Sequence, residues 1–233
     1  MRHSLPFGNK AIQFELLYRH RKSLGIKVHP DLRVEVLAPL NAAEEVIFSK
    51  LKSKAPWILK QLELFRSYLP KTPTRKYVGG ETHLYLGRQY KLKLVCDTPN
   101  AVKAYRGMLW VQANTPTPEV VASMLQEWYK ERASIIFHEV LDSVFPLFKR
   151  YELAKPRLFI RSMSKRWGSC TPGGKIILNT ELIKAPKGSI EYVIVHELCH
   201  LVYHNHTKQF FDLQTKLMPD WKKWKDRLEY SLA

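Results

Sequence analysis

The chain has 233 residues, of which 45% are apolar, and its formal net charge is +17. This composition excludes intrinsic disorder, and no stretch approaches the ~20 apolar residues of a membrane-spanning helix. The three cysteines (Cys96, Cys170 and Cys199) form no C-x-x-C pair, which argues against a disulfide framework and a zinc ribbon. The amino terminus also lacks a signal-peptide pattern, so we expect a cytoplasmic protein with no membrane partner.

The first half of the chain is predicted to be a basic, β-rich region with one helical segment, over residues 1–116. Residues 12–38 alternate between apolar and polar side chains in places, which indicates two strands. Residues 42–68 carry apolar side chains at helical spacing, and Pro56 is predicted to start a fresh helical turn there. Residues 77–111 return to strand patterns separated by glycine-containing turns.

The second half is predicted to form a separate domain over residues 117–233. The boundary is placed at the Thr-Pro-Thr-Pro run of residues 115–118. A long helix over 119–149 is followed by strands over 157–163 and 175–179. A further helix around residue 196 and one or two terminal helices complete an α+β fold. No internal repeat is evident in the sequence.

The most informative motif is His196-Glu197-Leu198-Cys199-His200, which reads H-E-x-x-H. On a helix, His196 and His200 are four residues apart and project from one face, so both can bind a single metal ion. Glu197 is placed to deprotonate a metal-bound water molecule. Apolar neighbours predict a buried helix, and the motif therefore favours a zinc-dependent hydrolase.

A third metal ligand is expected, because catalytic zinc usually has three protein ligands and an open position. His204 lies about 12 Å along a straight helix from His196, which is too far to share an ion. Asn205 is predicted to end the helix in a left-handed conformation, so that His206 returns to the metal, and Thr207 is predicted to cap the next helix. The preferred ligands are therefore His196, His200 and His206.

Together with the segment 166–170, which reads R-W-G-S-C, and the segment 207–211, this motif resembles the YgjP-like metal-dependent hydrolases, which are related to the SprT-like and WLM zincins. The resemblance implies a minimal zincin core, in the order long helix, short sheet, H-E-x-x-H helix and terminal helices. It also implies three histidine ligands and a glutamate base. We expect one Zn²⁺ per chain, with other divalent metals as alternatives.

Three residues near the motif are predicted to bind the substrate. Arg166 is placed to meet a carbonyl or phosphoryl oxygen, Trp167 to form a wall of the cleft, and Asn179 to lie at the end of the neighbouring strand. That strand, over residues 175–179, is expected to bind a peptide as an added strand.

The expected function is that of a metallopeptidase, and two alternatives remain. The first is a nucleotide phosphohydrolase (pyrophosphatase), which the basic charge and the affinity of phosphate for metal and arginine favour. The second is a nucleic-acid-associated protein with a zincin module. Residues 1–118 carry a net charge of +12 against +5 for residues 119–233, so the amino-terminal half, with clusters such as Arg19, Arg21 and Lys22, would bind the nucleic acid. The substrate is accordingly expected to be a peptide, a protein or a nucleotide.

Overall fold

The structure is a computed structural model that describes residues 2–29, 31–67, 75–164, 166–171 and 173–232, without the side chains of Arg2, Leu64 and Ser67. Within these residues the fold is α+β, as predicted, with strands β1–β11 and helices α1–α5. The chain divides into two compact units, Met1–Thr72 and Pro73–Leu232.

The amino-terminal unit is a four-stranded sheet covered by one helix. The strands are β1 (Arg2–Phe7), β2 (Lys10–Arg19), β3 (Gly25–Val28) and β4 (Val34–Pro39), in the order β1-β2-β4-β3. The pair β2–β4 is parallel and the other two pairs are antiparallel. Every second residue of β4 is buried, which leaves the sheet one apolar face. Helix α1 (Glu44–Ser67) covers that face with Ile47, Leu51, Ala55 and Ile58.

A second four-stranded sheet begins the carboxyl-terminal unit and has the same topology as the first. Its strands are β5 (Thr82–Tyr85), β6 (Arg88–Cys96), β7 (Ala101–Tyr105) and β8 (Met108–Ala113), in the order β5-β6-β8-β7. The inner pair β6–β8 is again parallel and the outer pairs are antiparallel. Each sheet is followed by a long helix, so the fold contains a repeat of topology that the sequence does not reveal.

Helix α2 (Pro118–Val144) joins this sheet to the remainder of the unit. The side chain of Thr117 caps its first turn by accepting a hydrogen bond from the Val120 N–H, and Pro118 occupies the first helical position. The hydroxyl of the buried Tyr129 donates to the Leu84 carbonyl at 2.8 Å, which ties α2 to β5. Residues 145–151 form a 3₁₀ segment rather than the last turns of the predicted helix.

The last part of the chain builds a three-stranded sheet and three helices. The strands β9 (Arg157–Arg161), β10 (Gly168–Cys170) and β11 (Lys175–Asn179) have the order β10-β11-β9, so β11 is central. Helix α3 (Lys187–Val202) carries the H-E-x-x-H motif, and α4 (Lys208–Leu217) and α5 (Trp221–Leu232) follow. The order of long helix, short sheet, motif helix and terminal helices is the one predicted.

The division between the two units differs from the predicted boundary after residue 116. The predicted amino-terminal region ends at the Thr-Pro run, but the sheet β5–β8 shares one core with α2 and α3. Leu92, Leu109 and Val111 belong to the same buried cluster as Phe137 and Ile194. Burial of apolar surface therefore assigns residues 75–116 to the unit that contains the histidine motif.

Several elements also differ in detail from the prediction. Strands β1 and β10 were not predicted, residues 12–38 contain parts of three strands instead of two, and β9 ends at Arg161 instead of residue 163. Helix α1 continues without a break through Pro56. The last predicted position of that helix, Tyr68, lies outside the described residues. Among the helices of the described ranges, none combines the length and the apolar character that crossing a membrane requires.

Candidate active site

Three histidines converge at one end of α3. His196 and His200 project from the same face of the helix, and His206 approaches them from the loop that joins α3 to α4. The Nε2 atoms of His196 and His206 are 3.0 Å apart. One ring nitrogen from each of the three residues lies within 4.8 Å of the others. The predicted cluster is therefore assembled in the structure, and His204 is not part of it.

The chain reaches His206 by a different route from the one predicted. Helix α3 ends at Val202, and Tyr203 is already extended with φ −129° and ψ 109°. Asn205 is not among the residues with positive φ, so the expected left-handed helix end at Asn205 is wrong. The predicted cap at Thr207 is confirmed, because its hydroxyl accepts a hydrogen bond from the Phe210 N–H. The early end of α3 leaves His204 exposed on the loop.

Hydrogen bonds to the far side of two imidazoles fix their orientation. The Nδ1 of His196 is 3.0 Å from the Oε1 of Gln214, and the Nδ1 of His200 is 3.3 Å from the Tyr203 carbonyl oxygen. Both partners are acceptors, so we assign the proton of each ring to Nδ1, which leaves the Nε2 lone pairs free. Gln214 is fully buried in α4. Sequence reasoning missed it, because a glutamine on an amphipathic helix usually faces solvent.

An aromatic ring closes the site behind the histidines. Phe210, which is fully buried, packs its ring against all three imidazoles with centroid distances of 4.7 to 5.0 Å. Burial is the main cause that lowers the pKa of His196, to about 4, and it also lowers the pKa of His200. Both rings are therefore neutral near pH 7, which is the state that binds a metal.

The carboxylate of Glu197 lies against the start of β10. A Cβ atom added to Gly168 would come within 2.6 Å of Glu197 Oε1, so only glycine leaves room for the carboxylate there. The backbone N–H of Cys170 donates a hydrogen bond to Glu197. Burial raises the pKa of Glu197 to about 7, against the opposing effects of the Arg166 charge and of that hydrogen bond. This contact explains physically why the R-W-G-S-C segment accompanies the H-E-x-x-H motif.

The donor set fits a divalent metal ion of the zinc type. Three converging imidazoles, two of them oriented by hydrogen bonds to Nδ1, and an apolar backing are what such sites contain. The separation of 3.0 Å between the Nε2 atoms of His196 and His206 is close to the ~3.3 Å that two nitrogens ~2.0 Å from one tetrahedral ion would have. The three histidines, which line the cleft, could therefore hold a metal ion.

The three predicted substrate-binding residues have different positions. Arg166 is exposed and lines a cleft of about 370 Å³ that also contains the three histidines and Glu197. The described walls of this cleft include neither Trp167 nor Asn179. Trp167 is half-buried and packs against the core. The predicted roles of Trp167 as a wall and of Asn179 as a substrate contact are therefore not supported.

Asn179 instead holds the loop that carries Arg166. Its side-chain amide donates to the carbonyls of Met163 at 2.7 Å and Arg166 at 3.0 Å. Its Oδ1 accepts hydrogen bonds from the N–H groups of Met163 and Glu181. These four bonds occupy the whole capacity of a buried amide, so Asn179 has no group left for a substrate.

The strand that borders the cleft is β10 and not the predicted β11. Strand β11 is paired on both sides, by β10 and by β9, so it cannot accept a further strand. The carbonyl of Trp167 and the N–H of Thr171 are bonded to β11. Successive residues of a strand direct their N–H and C=O groups to opposite sides. The backbone groups of Gly168 and Cys170 therefore point away from β11, into the cleft.

An α+β fold in which a helical H-E-x-x-H motif meets a third histidine defines the class of metal-dependent hydrolases. The family model for the YgjP-like metallopeptidase domain matches residues 22–231. The chain therefore belongs to the YgjP-like metallopeptidase family. This assignment confirms the resemblance noted from the sequence and supports a hydrolase.

Comparisons with individual proteins add little to this assignment. A comparison with curated proteins finds no significant match. Among solved structures, the crystal structure of the metallopeptidase zymogen of Pyrococcus abyssi abylysin is similar at 20% identity and a TM-score of 0.38. The similarity covers 41% of this chain and 94% of the abylysin chain.

Proposed function

We propose that the protein is a zinc-dependent peptidase in which Glu197 is the general base. The observation that carries this proposal is the position of the Glu197 carboxylate, which lies beside the three converging histidines and against the edge of a strand that can bind a peptide. His196, His200 and His206 would hold one zinc ion. When bound, zinc supplies Lewis-acid chemistry that makes water more acidic and polarises the scissile carbonyl.

The residues of the chain provide the proton transfer. Burial raises the pKa of the Glu197 carboxyl, which makes the carboxylate a better acceptor for a proton from water, and the same group can return the proton to the leaving amine. The hydrogen bond from the Cys170 N–H and the contact with Gly168 hold the Glu197 side chain in one orientation. Arg166, at the rim of the cleft, stabilises the ionised form of Glu197 through its charge.

The substrate would bind as an extended chain along β10. The Cys170 N–H is bonded to Glu197, but the outward-facing N–H and C=O of Gly168 and the C=O of Cys170 can form main-chain hydrogen bonds with a peptide, in the manner of an added strand. Such bonds do not depend on side-chain identity, so this edge favours peptides in general. A peptidase is therefore preferred to the nucleotide phosphohydrolase, which the basic charge and the affinity of phosphate for metal and arginine support but for which no such edge is needed.

A parallel screen tests the proposal. The purified full-length protein, loaded with zinc, is assayed against casein-like proteins, short quenched-fluorescent peptides and a panel of nucleoside triphosphates, with Glu197→Gln as the control. We expect hydrolysis of peptides, lowered at least ~10²-fold in Glu197→Gln. Release of pyrophosphate or phosphate without peptide cleavage, dependent on Glu197, would instead establish the nucleotide phosphohydrolase.

A further inference from the structure

Beside the catalytic cleft lies a second, smaller hollow whose walls are basic. It has a volume of about 340 Å³ and is lined by Arg161, Ser162, Met163, Ser164 and Arg166. Arg166 also lines the catalytic cleft, so the two cavities share a wall. We refer to this hollow as the arginine pocket.

The arginine pocket lies in the longest part of the catalytic unit that contains no acidic residue. Between Glu152 and Glu181 the sequence has six basic residues and no Asp or Glu. Within the residues that the structure describes, neither Arg161 nor Arg166 takes part in a salt bridge, whereas several exposed cations elsewhere do. Although the charge of Arg166 also acts on Glu197, two guanidinium groups without a salt bridge, next to two serine hydroxyls, form a site for an anionic group.

Hydrogen bonds hold the backbone at two positions of the pocket before any ligand binds. Asn179, which is buried, fixes the backbone of Met163 and Arg166 through the hydrogen bonds described above. Arg161 is the last residue of β9 and is paired in register with Asn179 on β11. The backbone of Arg161 therefore belongs to the sheet and that of Arg166 is bonded to it, so the ordering cost of binding an anion falls mainly on the two exposed side chains.

The pocket lies along the path proposed for the substrate. Arg166 precedes Gly168 by two residues, and two residues of extended chain span about 7 Å. A peptide bound along β10 and continuing past Gly168 would reach Arg166 within one or two residues of the point where Glu197 acts. Because side chains of an extended peptide alternate between two faces, one of the two residues that pass Arg166 would direct its side chain toward the arginine pocket.

We propose that the arginine pocket selects peptides with an Asp or Glu side chain at the position that passes Arg166. This inference rests on the proposed peptidase function and names its substrate class. The carboxylate would form charge-assisted hydrogen bonds with the guanidinium groups of Arg161 and Arg166. A phosphate could use the same groups, but the neighbouring strand edge offers the main-chain hydrogen bonds that a peptide, and not a nucleotide, can use.

The first test measures binding and does not depend on turnover. The full-length Glu197→Gln protein, loaded with zinc, is titrated with a fluorescent acidic peptide and with its matched peptide in which Asn and Gln replace Asp and Glu. We expect the acidic peptide to bind about 5-fold more tightly at low salt, the scale of a partly exposed ion pair, and the difference to shrink as salt is added. In Arg161→Gln the two affinities should become equal.

A matched control is available on the same strand. Arg157 is an exposed arginine at the other end of β9, about 13 Å from Arg161. Arg157→Gln removes the same net charge, so the preference for the acidic peptide should persist in it. Equal binding of the two peptides by the parent protein, or loss of the preference in Arg157→Gln as well, would overturn the proposal in favour of a general charge effect.

Two further arms separate the remaining outcomes. A single-stranded oligonucleotide that binds more tightly than the acidic peptide, and loses this affinity in Arg161→Gln, would assign the pocket to phosphate and overturn the proposal. The kinetic arm compares kcat/KM for the two peptides with the wild-type protein, where the ratio should favour the acidic one. If neither peptide is cleaved but the binding preference and its dependence on Arg161 remain, the proposed peptidase function fails while the assignment of the pocket stands.

Discussion

Substitution of Gly168 by alanine tests the contact between the catalytic carboxylate and β10. The backbone of Gly168 is not in the left-handed region, so alanine itself is tolerated there. The added Cβ, however, would lie 2.6 Å from Glu197 Oε1 and 2.9 Å from Glu197 Cγ, where ordinary contacts begin at 3.4 Å. The carboxylate must therefore move by about 0.8 Å or more, and because Glu197 is only 6% exposed it has little free space.

A displacement of this size should affect catalysis more than folding. Misplacement of a reacting group by ~1 Å can cost ~10²-fold in rate, and an overpacked methyl group costs ~1–3 kcal/mol of stability. We expect Gly168→Ala to retain its zinc and to lose roughly 10²-fold in kcat/KM with a quenched-fluorescent peptide. Zinc content and thermal denaturation are measured on the same preparation, since the three atoms nearest to the added Cβ all belong to Glu197.

Gly173→Ala is the matched control. Among the described residues, no atom lies within 4 Å of a Cβ placed on Gly173, and its φ is also outside the left-handed region. This variant should keep both its zinc and its activity. A folded, zinc-loaded Gly168→Ala protein with wild-type kcat/KM would refute the reasoning, because Glu197 would then not act from the position seen here.

Two other predictions concern the metal site and the charge of the chain. Gln214→Leu removes the acceptor that orients His196 and should weaken zinc binding ~10–100-fold in a chelator competition, whereas Gln214→Glu should preserve the affinity. The leucine variant should stay folded, because the Gln214 Nε2 has no hydrogen-bond partner among the described residues. An unchanged zinc affinity in Gln214→Leu would show that Gln214 does not orient His196. If the amino-terminal excess of positive charge binds nucleic acid, the affinity for an oligonucleotide should fall steeply between ~50 and ~200 mM salt. The affinity should also fall when Arg19, Arg21 and Lys22 are replaced by glutamate. An absence of binding at the lower salt would argue against this role.

The parts of the site that the sequence predicted are those set by local spacing. A separation of four residues on a helix is enough to bring His196 and His200 together, and the Thr207 cap depends on the residue three positions further on. His206 was preferred to His204 because eight residues of straight helix would place His204 too far from His196 for both to bind one ion. The structure does bring His206, and not His204, into the cluster. The predicted turn at Asn205 failed because Tyr203, already extended, ends the helix earlier.

The parts that were missed depend on contacts between distant segments. Gln214 lies 18 residues from His196. Its spacing from Phe210 and Leu217 puts it on the buried face of α4, but nothing local shows that this face meets His196. Strand β10 has only three residues, too few for an alternating pattern, and exists because it pairs with β11. The boundary between the units depends on the packing of β5–β8 on α2. The Thr-Pro run between them resembles a linker in the sequence and gives no sign of this packing. The roles of Trp167 and Asn179 were likewise set by packing and backbone hydrogen bonds.

The zinc content of two histidine variants tests the central claim most directly, namely that His196, His200 and His206 hold the metal beside Glu197. The full-length wild type, His206→Ala and His204→Ala are purified identically and analysed for zinc per chain. We predict one zinc in the wild type, one in His204→Ala and a large loss in His206→Ala. Full zinc in His206→Ala together with its loss in His204→Ala would contradict the account.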